Sequence, residues 1–425
     1  MAGTATVNSI PVGALYGLPG FTEQFEQYEN LASILTTQQV SAQTPFNPPG
    51  SFQKTDVVFW WELECIANWA ETYSAGTLAL SPEAPYNIMQ NLKLKLQGQY
   101  SPVEVESGFD AAFMQMYRPM RGRGQRNVQD LLSTNPVAST GFANSLIPQA
   151  NLAGATLSQT LTSPYSVTNY PFILEIPAGI FLDEYWDLAL DGSLQPNASG
   201  SVAPMAAFVS PQYMGGGERV IVPQFNYAAL ISGSQDQGPL VATAALTATV
   251  QTGNVTLSGR RIGVFASENP AEMPPVFNWQ YRRASKRYPV GAVTKVDIPI
   301  TEYGQVLSAY VRIFDPTLNS NTGGYYNVAN ITKAQLLYGS NLPRFDDDIP
   351  AMQDRWVEQH GFLPPQGTVA FDLASTKMNG EIGNSRSLNT LTNSNAHFHL
   401  EMSAAPAAST YAVVGTELLV PVATQ

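Results

Sequence analysis

Cysteine and charge are both scarce in this chain of 425 residues. Its single cysteine, Cys65, excludes an intrachain disulfide and any zinc site that is built from cysteines. Only 13% of the residues are charged, well below the roughly 25% that is usual for soluble domains. No apolar run reaches the roughly 20 residues that span a bilayer, and no basic segment precedes an apolar one at the N-terminus. These absences predict a protein that is made and folded in a cytoplasm.

Catalytic motifs are also missing. The sequence contains no Gly-x-Ser-x-Gly elbow, no P-loop and no dinucleotide fingerprint. Neighbouring acids such as Asp183 and Glu184 do not provide the two carboxylates across a cleft that glycoside hydrolysis needs. The best candidate metal ligands are His397, His399 and Glu401, which alternate along one face of a predicted strand. A polar strand face explains them more simply, so we expect no catalytic, cofactor or metal site and no enzyme activity.

The few basic residues are unevenly distributed in an acidic protein. A net charge of −12 argues against a general nucleic-acid binder, because phosphate neutralisation needs clustered lysine and arginine. Two basic clusters nevertheless occur: Arg118, Arg121, Arg123 and Arg126, and then Arg282, Arg283, Lys286 and Arg287. In this context such clusters favour docking onto acidic surfaces of identical copies, with nucleic acid or anionic lipid as the alternative.

Most of the chain alternates polar and apolar residues between glycine and proline turns, as antiparallel strands do. The predicted strands cover residues 54–69, 88–97, 170–176, 203–209, 219–225, 240–250, 254–266, 295–300, 306–314, 368–373, 396–402 and 411–420. A Ser/Gly/Gln/Asp stretch at residues 231–238 marks the predicted border between two halves. The pattern predicts an all-β chain made of two β-sandwiches or jelly rolls, over residues 51–238 and 239–425.

One short helix is predicted within each set of strands. The first covers residues 179–192, with Trp186 on its apolar face. The second covers residues 348–360, and its apolar stripe is made of Met352, Trp356 and Val357. Trp186 and Trp356 are predicted to pin these helices to the cores of their own sandwiches. A further short helix is expected at residues 110–118, as an insertion between strands.

Residues 1–50 are predicted to form an arm outside both sandwiches. Its apolar residues recur at steps of four and three, which predicts an amphipathic helix with a stripe made of Phe21, Phe25, Tyr28, Ala32 and Leu35. The stripe must pack on something. Its own or a neighbouring subunit is favoured over a membrane surface, because the helix contains no lysine or arginine.

The second half resembles a known family in the order and spacing of four segments. These are residues 288–291 leading into a strand at 296–300, a strand at 307–315 that ends in Phe314-Asp315, a helix at 348–356, and a segment at 361–367 that leads from this helix into the next strand. They resemble the C-terminal jelly roll of the double-jelly-roll major capsid proteins of tailless, internal-membrane icosahedral phages of the tectivirus type. The first half resembles the family through residues 172–186 and 218–223.

The resemblance implies two consecutive eight-stranded jelly rolls with short inter-strand helices and an N-terminal helical arm. Three subunits would form a pseudo-hexagonal capsomer, and capsomers would tile an icosahedral shell around an internal membrane. The implied partners are further copies of the chain, neighbouring capsomers, minor capsid and penton proteins, and the membrane through the arm residues Phe21, Phe25, Tyr28 and Leu35. No sequence-specific nucleic acid is implied. The location would be the virion, after assembly in the host cytoplasm.

Two other functions fit part of the pattern. A secreted carbohydrate-binding or carbohydrate-active β-sandwich would use the aromatic residues and polar loops, but it usually carries an export signal and a pair of catalytic carboxylates. A viral receptor-binding spike would use the same loops, but it more often contains fibrous repeats, and the sequence has none.

Overall fold

The computed structural model describes the elements of the fold and the segments that join many of them. The described residues are 21–27, 33–35, 41–43, 57–76, 78–81, 83–96, 101, 103–117, 165–177, 221–227, 231–232, 237–242, 250–265, 279–318, 324–339, 342–360, 364, 367–373, 388–391 and 395–421. Within these ranges, no helix is long and apolar enough to cross a membrane.

Strands dominate the described residues, as the alternating sequence predicts. Those before residue 270 are β1 (Phe21–Gln27), β2 (Ser33–Leu35), β3 (Ser41–Gln43), β4 (Val57–Thr72), β5 (Leu78–Leu80), β6 (Met89–Leu96), β7 (Val103–Ser107), β8 (Tyr165–Pro177), β9 (Ile221–Tyr227), β10 (Ile231–Ser232), β11 (Leu240–Ala242) and β12 (Val250–Phe265). Helix α1 (Gly108–Tyr117) follows β7 directly, which confirms the helix expected at residues 110–118.

The rest of the chain supplies β13 (Trp279–Pro289), β14 (Lys295–Pro299), β15 (Gln305–Phe314), β16 (Ile331–Tyr338), β17 (Leu342–Asp347), β18 (Thr368–Asp372), β19 (Leu388–Asn389), β20 (Ala396–Met402) and β21 (Tyr411–Pro421). Helix α2 (Ile349–His360) lies between β17 and β18, where the sequence predicts it. It begins with a cap, since the side chain of Asp348 accepts a hydrogen bond from the backbone N–H of Ala351 at 2.8 Å.

The second half has the connectivity of a jelly roll. One sheet has the strand order β13-β21-β15-β18, and the other has the order β14-β20-β16-β17. The two-residue strand β19 pairs only with β15 and lies off this path. We number the eight strands of this half from one to eight along the chain, leaving out β19. The first sheet then has the order one, eight, three, six, and the second sheet has the order two, seven, four, five. Two interlocked Greek keys produce this alternation between sheets.

The core of this roll lies between its two sheets. In β20, Phe398 and Leu400 are buried while His397 and His399 are half-exposed, as the period of two requires. Phe371 of β18 stacks on Phe398 with ring centroids 6.1 Å apart, so aromatic rings bridge the two sheets. Burial of such side chains, at about 25 cal/mol per Å² of apolar surface, is the main stabilising contribution to this half.

The first half shares a sheet with the second. Strands β1-β12-β4-β8, with β2 paired to β12, form a separate sheet, whereas β7-β6-β9-β3 continue the sheet of the second roll. The junction is the parallel pair of β7 and β13, in which Val103 registers with Arg283. Together they make one sheet of nine strands. The helix predicted at residues 179–192, with Trp186, and the strand predicted at residues 203–209 lie outside the described residues.

The border expected at residue 238 stays a prediction, and two strands beyond it pair with strands that precede it. Strand β11 pairs with β5, and β12 pairs with β4 from Val250 to Phe265. These strands therefore extend the sheets of the first half. The described strands that build the second roll begin at Trp279.

The arm contains strands where the sequence predicts a helix. Strand β1 pairs antiparallel with β12, from Phe21 opposite Phe265 to Gln27 opposite Gly259, and β2 pairs with the same strand. The helical prediction is therefore wrong for residues 21–27 and 33–35. A step of four between Phe21 and Phe25 fits a period of two as well as a helical turn, and β12 supplies backbone partners that an isolated helix would not use. Tyr28 lies outside the described residues.

Candidate functional site: the seam between the two halves

A buried charge network joins the two halves where α1 covers the outer face of β15. In β15, Ala309, Val311 and Ile313 belong to the core of the second roll. The intervening Tyr310 and Arg312 make their bonds with residues of the first half. All ten residues of the strand are buried, because both of its faces are covered.

Arg312 lies at the centre of this network, which we call the seam. Its Nη1 lies 2.5 Å from Oε1 of Glu83, and its Nη2 lies 2.6 Å from Oδ1 of Asp110. All three side chains are fully buried. Burial alone would lower the pKa of the Arg312 guanidinium, but the carboxylates of Asp110 and Glu83 raise that pKa well above its usual range. The guanidinium is therefore charged at every pH at which the protein is folded.

Neutral donors add hydrogen bonds to the two carboxylates. The hydroxyl of Tyr325 donates to Glu83 at 2.6 Å, and the hydroxyl of Tyr310 donates to Oδ1 of Asp110 at 3.0 Å. Ser285 of β13 donates to Oδ2 of Asp110 at 3.0 Å. A buried ion pair stabilises a fold only when such additional bonds offset the cost of removing its charges from water. Here the donors come from three separate segments of the second half, so the network fixes how the halves fit together.

Aromatic rings surround the network and exclude water from it. The guanidinium carbon of Arg312 lies 5.0 Å from the ring centroid of Phe109 and 5.1 Å from that of Phe314. Phe113 of α1 packs edge-to-face on Tyr310 at 4.8 Å and stacks on Trp356 of α2 at 5.9 Å. Helix α1 of the first half is therefore in contact with both β15 and α2 of the second.

Trp356 contacts its own roll, as expected, and also contacts the first half. It lines a small cavity with Phe345 and Phe371 of its own roll, but it also stacks on Phe113 of the other half. The tryptophan thus anchors α2 to the seam as well as to its own sandwich. The assignment of Val357 to the apolar stripe is wrong, because 38% of its surface is exposed.

The basic cluster at residues 282–287 forms ion pairs within the chain. Arg282 lies 2.9 Å from Glu104 and 3.3 Å from Glu302, and Lys286 lies 2.6 Å from Glu302. Arg287 lies 3.9 Å from Glu106, and Arg283 is buried. The contacts with Glu104 and Glu106 again connect β13 with β7 of the first half. Docking of this cluster onto other subunits stays a prediction, and Arg118, Arg121, Arg123 and Arg126 lie outside the described residues.

The candidate metal ligands form a surface network of hydrogen bonds. His399 Nδ1 lies 2.6 Å from Oδ1 of Asp297, and its Nε2 lies 3.3 Å from Oε1 of Glu401. Lys295 and His399 hold the pKa of Glu401 below its usual range. Among the described residues, no group of three histidine, cysteine or acidic side chains is placed to hold a metal ion, His397, His399 and Glu401 included.

The residues of the seam were not singled out by the sequence. Glu83, Asp110 and Arg312 are separated by up to 229 positions, and no local pattern connects them. One signal was available: Arg312 is the one charged residue of β15 and interrupts the apolar run from Ala309 to Phe314, and a charge at such a position requires a buried partner.

The second half is a jelly roll that shares a sheet and a buried charge network with strands of the first half, and comparison with solved structures shows that the chain has a double-jelly-roll fold. It is similar to the major capsid protein of Sulfolobus turreted icosahedral virus, with a TM-score of 0.53, 13% identity, and coverage of 93% of this chain and 97% of that chain. A second structure from the same virus gives a TM-score of 0.51 at 12% identity, over 93% of this chain and 90% of that chain. At these identities the similarity establishes the fold. No family model and no curated protein matches the sequence.

Proposed function

We propose that this protein is the major capsid protein of an icosahedral virus, and that it works as a structural subunit and not as an enzyme. Three copies form a trimer with a pseudo-hexagonal outline, because three subunits of two jelly rolls each present six rolls around one axis. In this proposal the first roll extends to about residue 265, as the pairing of β12 with β4 favours. The second roll begins near Trp279.

The seam is the observation that carries this proposal. A shell tile must keep its two rolls in one relative position while neighbours contact it from several sides. A shared nine-stranded sheet and a fully buried Arg312 network serve this purpose, since bending between the rolls would leave charges unpaired in the interior. The low charge content also fits wide contacts with other copies, because interface cores are depleted of charged residues.

The remaining partners follow from the same proposal. Trimers contact neighbouring trimers and, at special positions of the shell, minor capsid and penton proteins. The shell encloses a membrane, and residues 1–50 lie on its inner side. The protein is located in the virion and assembles in the host cytoplasm, without sequence-specific binding to nucleic acid.

Mass measurement by light scattering on the purified chain tests the proposal. We expect a stable trimer of three 45.9 kDa subunits, with a hexagonal outline in negative-stain electron microscopy. A monomer that binds or hydrolyses glycans would instead support a carbohydrate-active β-sandwich and would overturn the capsid assignment. Flotation of the trimer with phospholipid vesicles tests the membrane contact separately.

A further inference from the structure

The second jelly roll exposes large apolar side chains beside charges of opposite sign. Among the described residues, the exposed large hydrophobic side chains are Val293, Tyr303, Val357 and Leu391. Tyr303 follows Glu302, which pairs with Lys286, whereas Val357 lies between Asp354 and Glu358 on α2. Apolar side chains that are exposed singly are ordinary on a protein surface, so the opposite charges of the two surroundings are what indicates a contact.

Tyr303, Leu391 and Lys286 form the first surface, which we call the basic tip. Tyr303 is 63% exposed and Leu391 is 43% exposed. They are neighbours because the hydroxyl of Thr390 donates to the backbone oxygen of Glu302 at 2.8 Å. Lys286 belongs to the same surface, since its amine lies 2.6 Å from the carboxylate of Glu302.

The basic tip presents positive charge although its ions are paired. The pairs form a chain in the order Lys93, Glu104, Arg282, Glu302, Lys286. Both ends of this chain are lysines, which are 42% and 52% exposed, while the two carboxylates are 35% and 8% exposed. A partner that approaches from solvent therefore meets the lysines first.

Asp354, Val357 and Glu358 form the second surface, which we call the acidic helix face. They are three and four positions apart on α2 and share one exposed side of the helix. Neither acid has an ion pair among the described residues. The neighbouring Arg355 does not neutralise them, because both of its terminal nitrogens bind Asp347.

The two surfaces lie at opposite ends of β17. Its first residue, Leu342, registers with Tyr338, whose hydroxyl donates to the backbone oxygen of Asn389 beside the basic tip at 2.7 Å. Its last residue, Asp347, leads into α2 and the acidic helix face. A strand of this length spans about 17 Å, so the surfaces are separate patches.

We infer that the basic tip of one subunit docks on the acidic helix face of a second copy of this chain, and that three such contacts close the trimer. This inference rests on the proposed function. A ring of three cannot be built from one surface that pairs with itself, and it requires two different complementary surfaces. Opposite charge with an apolar centre on each side gives that complementarity.

Charge reversal on the full-length chain tests the contact, with trimer mass and dissociation followed by light scattering. Asp354→Lys with Glu358→Lys, and separately Lys286→Glu, each raise the trimer dissociation constant at least about tenfold, and more salt weakens the wild-type trimer. All three substitutions together restore complementary charge, so dissociation returns to within about threefold of the wild type. Lys295→Glu is the matched control, since Lys295 is also exposed and lies 3.1 Å from a glutamate, Glu401.

The outcomes separate this inference from the proposed function. A wild-type trimer that is unaffected by every reversal overturns the inference and leaves the capsid assignment intact, whereas a wild-type monomer overturns both. Tyr303→Ser with Leu391→Ser gives a second test without charge change, and it weakens the trimer if the tip is in the contact. Circular dichroism and the melting temperature identify any variant that fails to fold, and in that case the serine variant decides.

Discussion

Gly415 allows Tyr310 to lie across β21 and reach Asp110. The two residues are opposite each other in the pairing of β15 with β21, and a Cβ atom at Gly415 would lie 2.0 Å from Cζ of Tyr310. No side chain can occupy that position without moving the ring. A glycine inside a strand here marks a close approach between neighbouring groups rather than a turn.

Gly415→Ala should therefore displace Tyr310 and break its hydrogen bond to Asp110. We expect a loss of about 2–4 kcal/mol in the free energy of unfolding, from overpacking and a less satisfied buried carboxylate. Urea unfolding measures it. Gly291→Ala is the control: its Cβ would meet nothing within 4 Å, and its φ of +72° costs only about 1–2 kcal/mol. Equal losses in the two variants would contradict the role given to Gly415.

Glu71 links the stability of the first half to pH. Its side chain is buried in β4, its carboxylate oxygens have no hydrogen-bond partner among the described residues, and burial raises its pKa to about 7. Because this folded-state pKa lies above the ordinary value of 4.5, the native chain binds more protons than the unfolded chain between these two values. The contribution of Glu71 to stability is thus fully present below pH 4.5 and is lost as pH rises through about 7.

Glu71→Gln should remove this dependence, because the amide stays neutral at every pH. The melting temperature of the variant minus that of the wild type should rise by about 2 °C or more between acidic and neutral pH. Scanning calorimetry at several pH values measures this difference. The exposed substitution Asp346→Asn serves as control and should leave the profile unchanged. A parallel pH profile for Glu71→Gln and the wild type would show that the carboxylate is solvated.

Helix α2 contacts both halves through one face only. Met352 enters the core of the second roll, and Trp356 stacks on Phe113 of α1. Val357, one position later, points to solvent, which shows how narrow the buried stripe is.

Trp356→Ala should thus cost about 3–5 kcal/mol in the free energy of unfolding, since it removes a buried ring at the junction of α1, α2 and the core. Gln353→Ala, at a half-exposed position of the same helix, should change stability by less than about 0.5 kcal/mol. Denaturant titrations of both variants measure the difference. A similar cost for the two would mean that α2 is held by its backbone and cap rather than by the tryptophan.

Elements that are determined by local sequence could be predicted, and elements that are determined by pairing with a distant strand could not. The alternation of Phe398 and Leu400 with His397 and His399 is a local property, and β20 was predicted to the residue. Strand β17 was missed, because Pro343 and the acids that follow indicate a turn and a helix start. Only its pairing with β16 makes it a strand. Sequence periodicity does not contain that pairing.

At the scale of the whole molecule, we expect the seam and the shared sheet to make the two jelly rolls unfold as one unit. Their existence could be predicted from turn spacing and resemblance. Their junction could not, because the parallel pairing of β7 with β13 and the bonds of Arg312 bring together segments that are about 180 to 230 positions apart. We therefore expect a single cooperative unfolding transition for the full chain in scanning calorimetry.

Arg312→Met tests this cooperativity, because it removes the one cation and leaves two buried carboxylates unpaired. The loss should be about 3–5 kcal/mol, and the single transition should split as the halves unfold separately. Adding Glu83→Gln and Asp110→Asn neutralises both acids, so stability should largely return while the seam loses its ionic bonds. If the triple variant also unfolds in one transition, the shared nine-stranded sheet is sufficient to join the rolls, and the charges serve to select their relative position. If Arg312→Met itself is as stable as the wild type, the network contributes neither to stability nor to the cooperative unfolding of the two rolls. The seam then does not hold the rolls rigidly together.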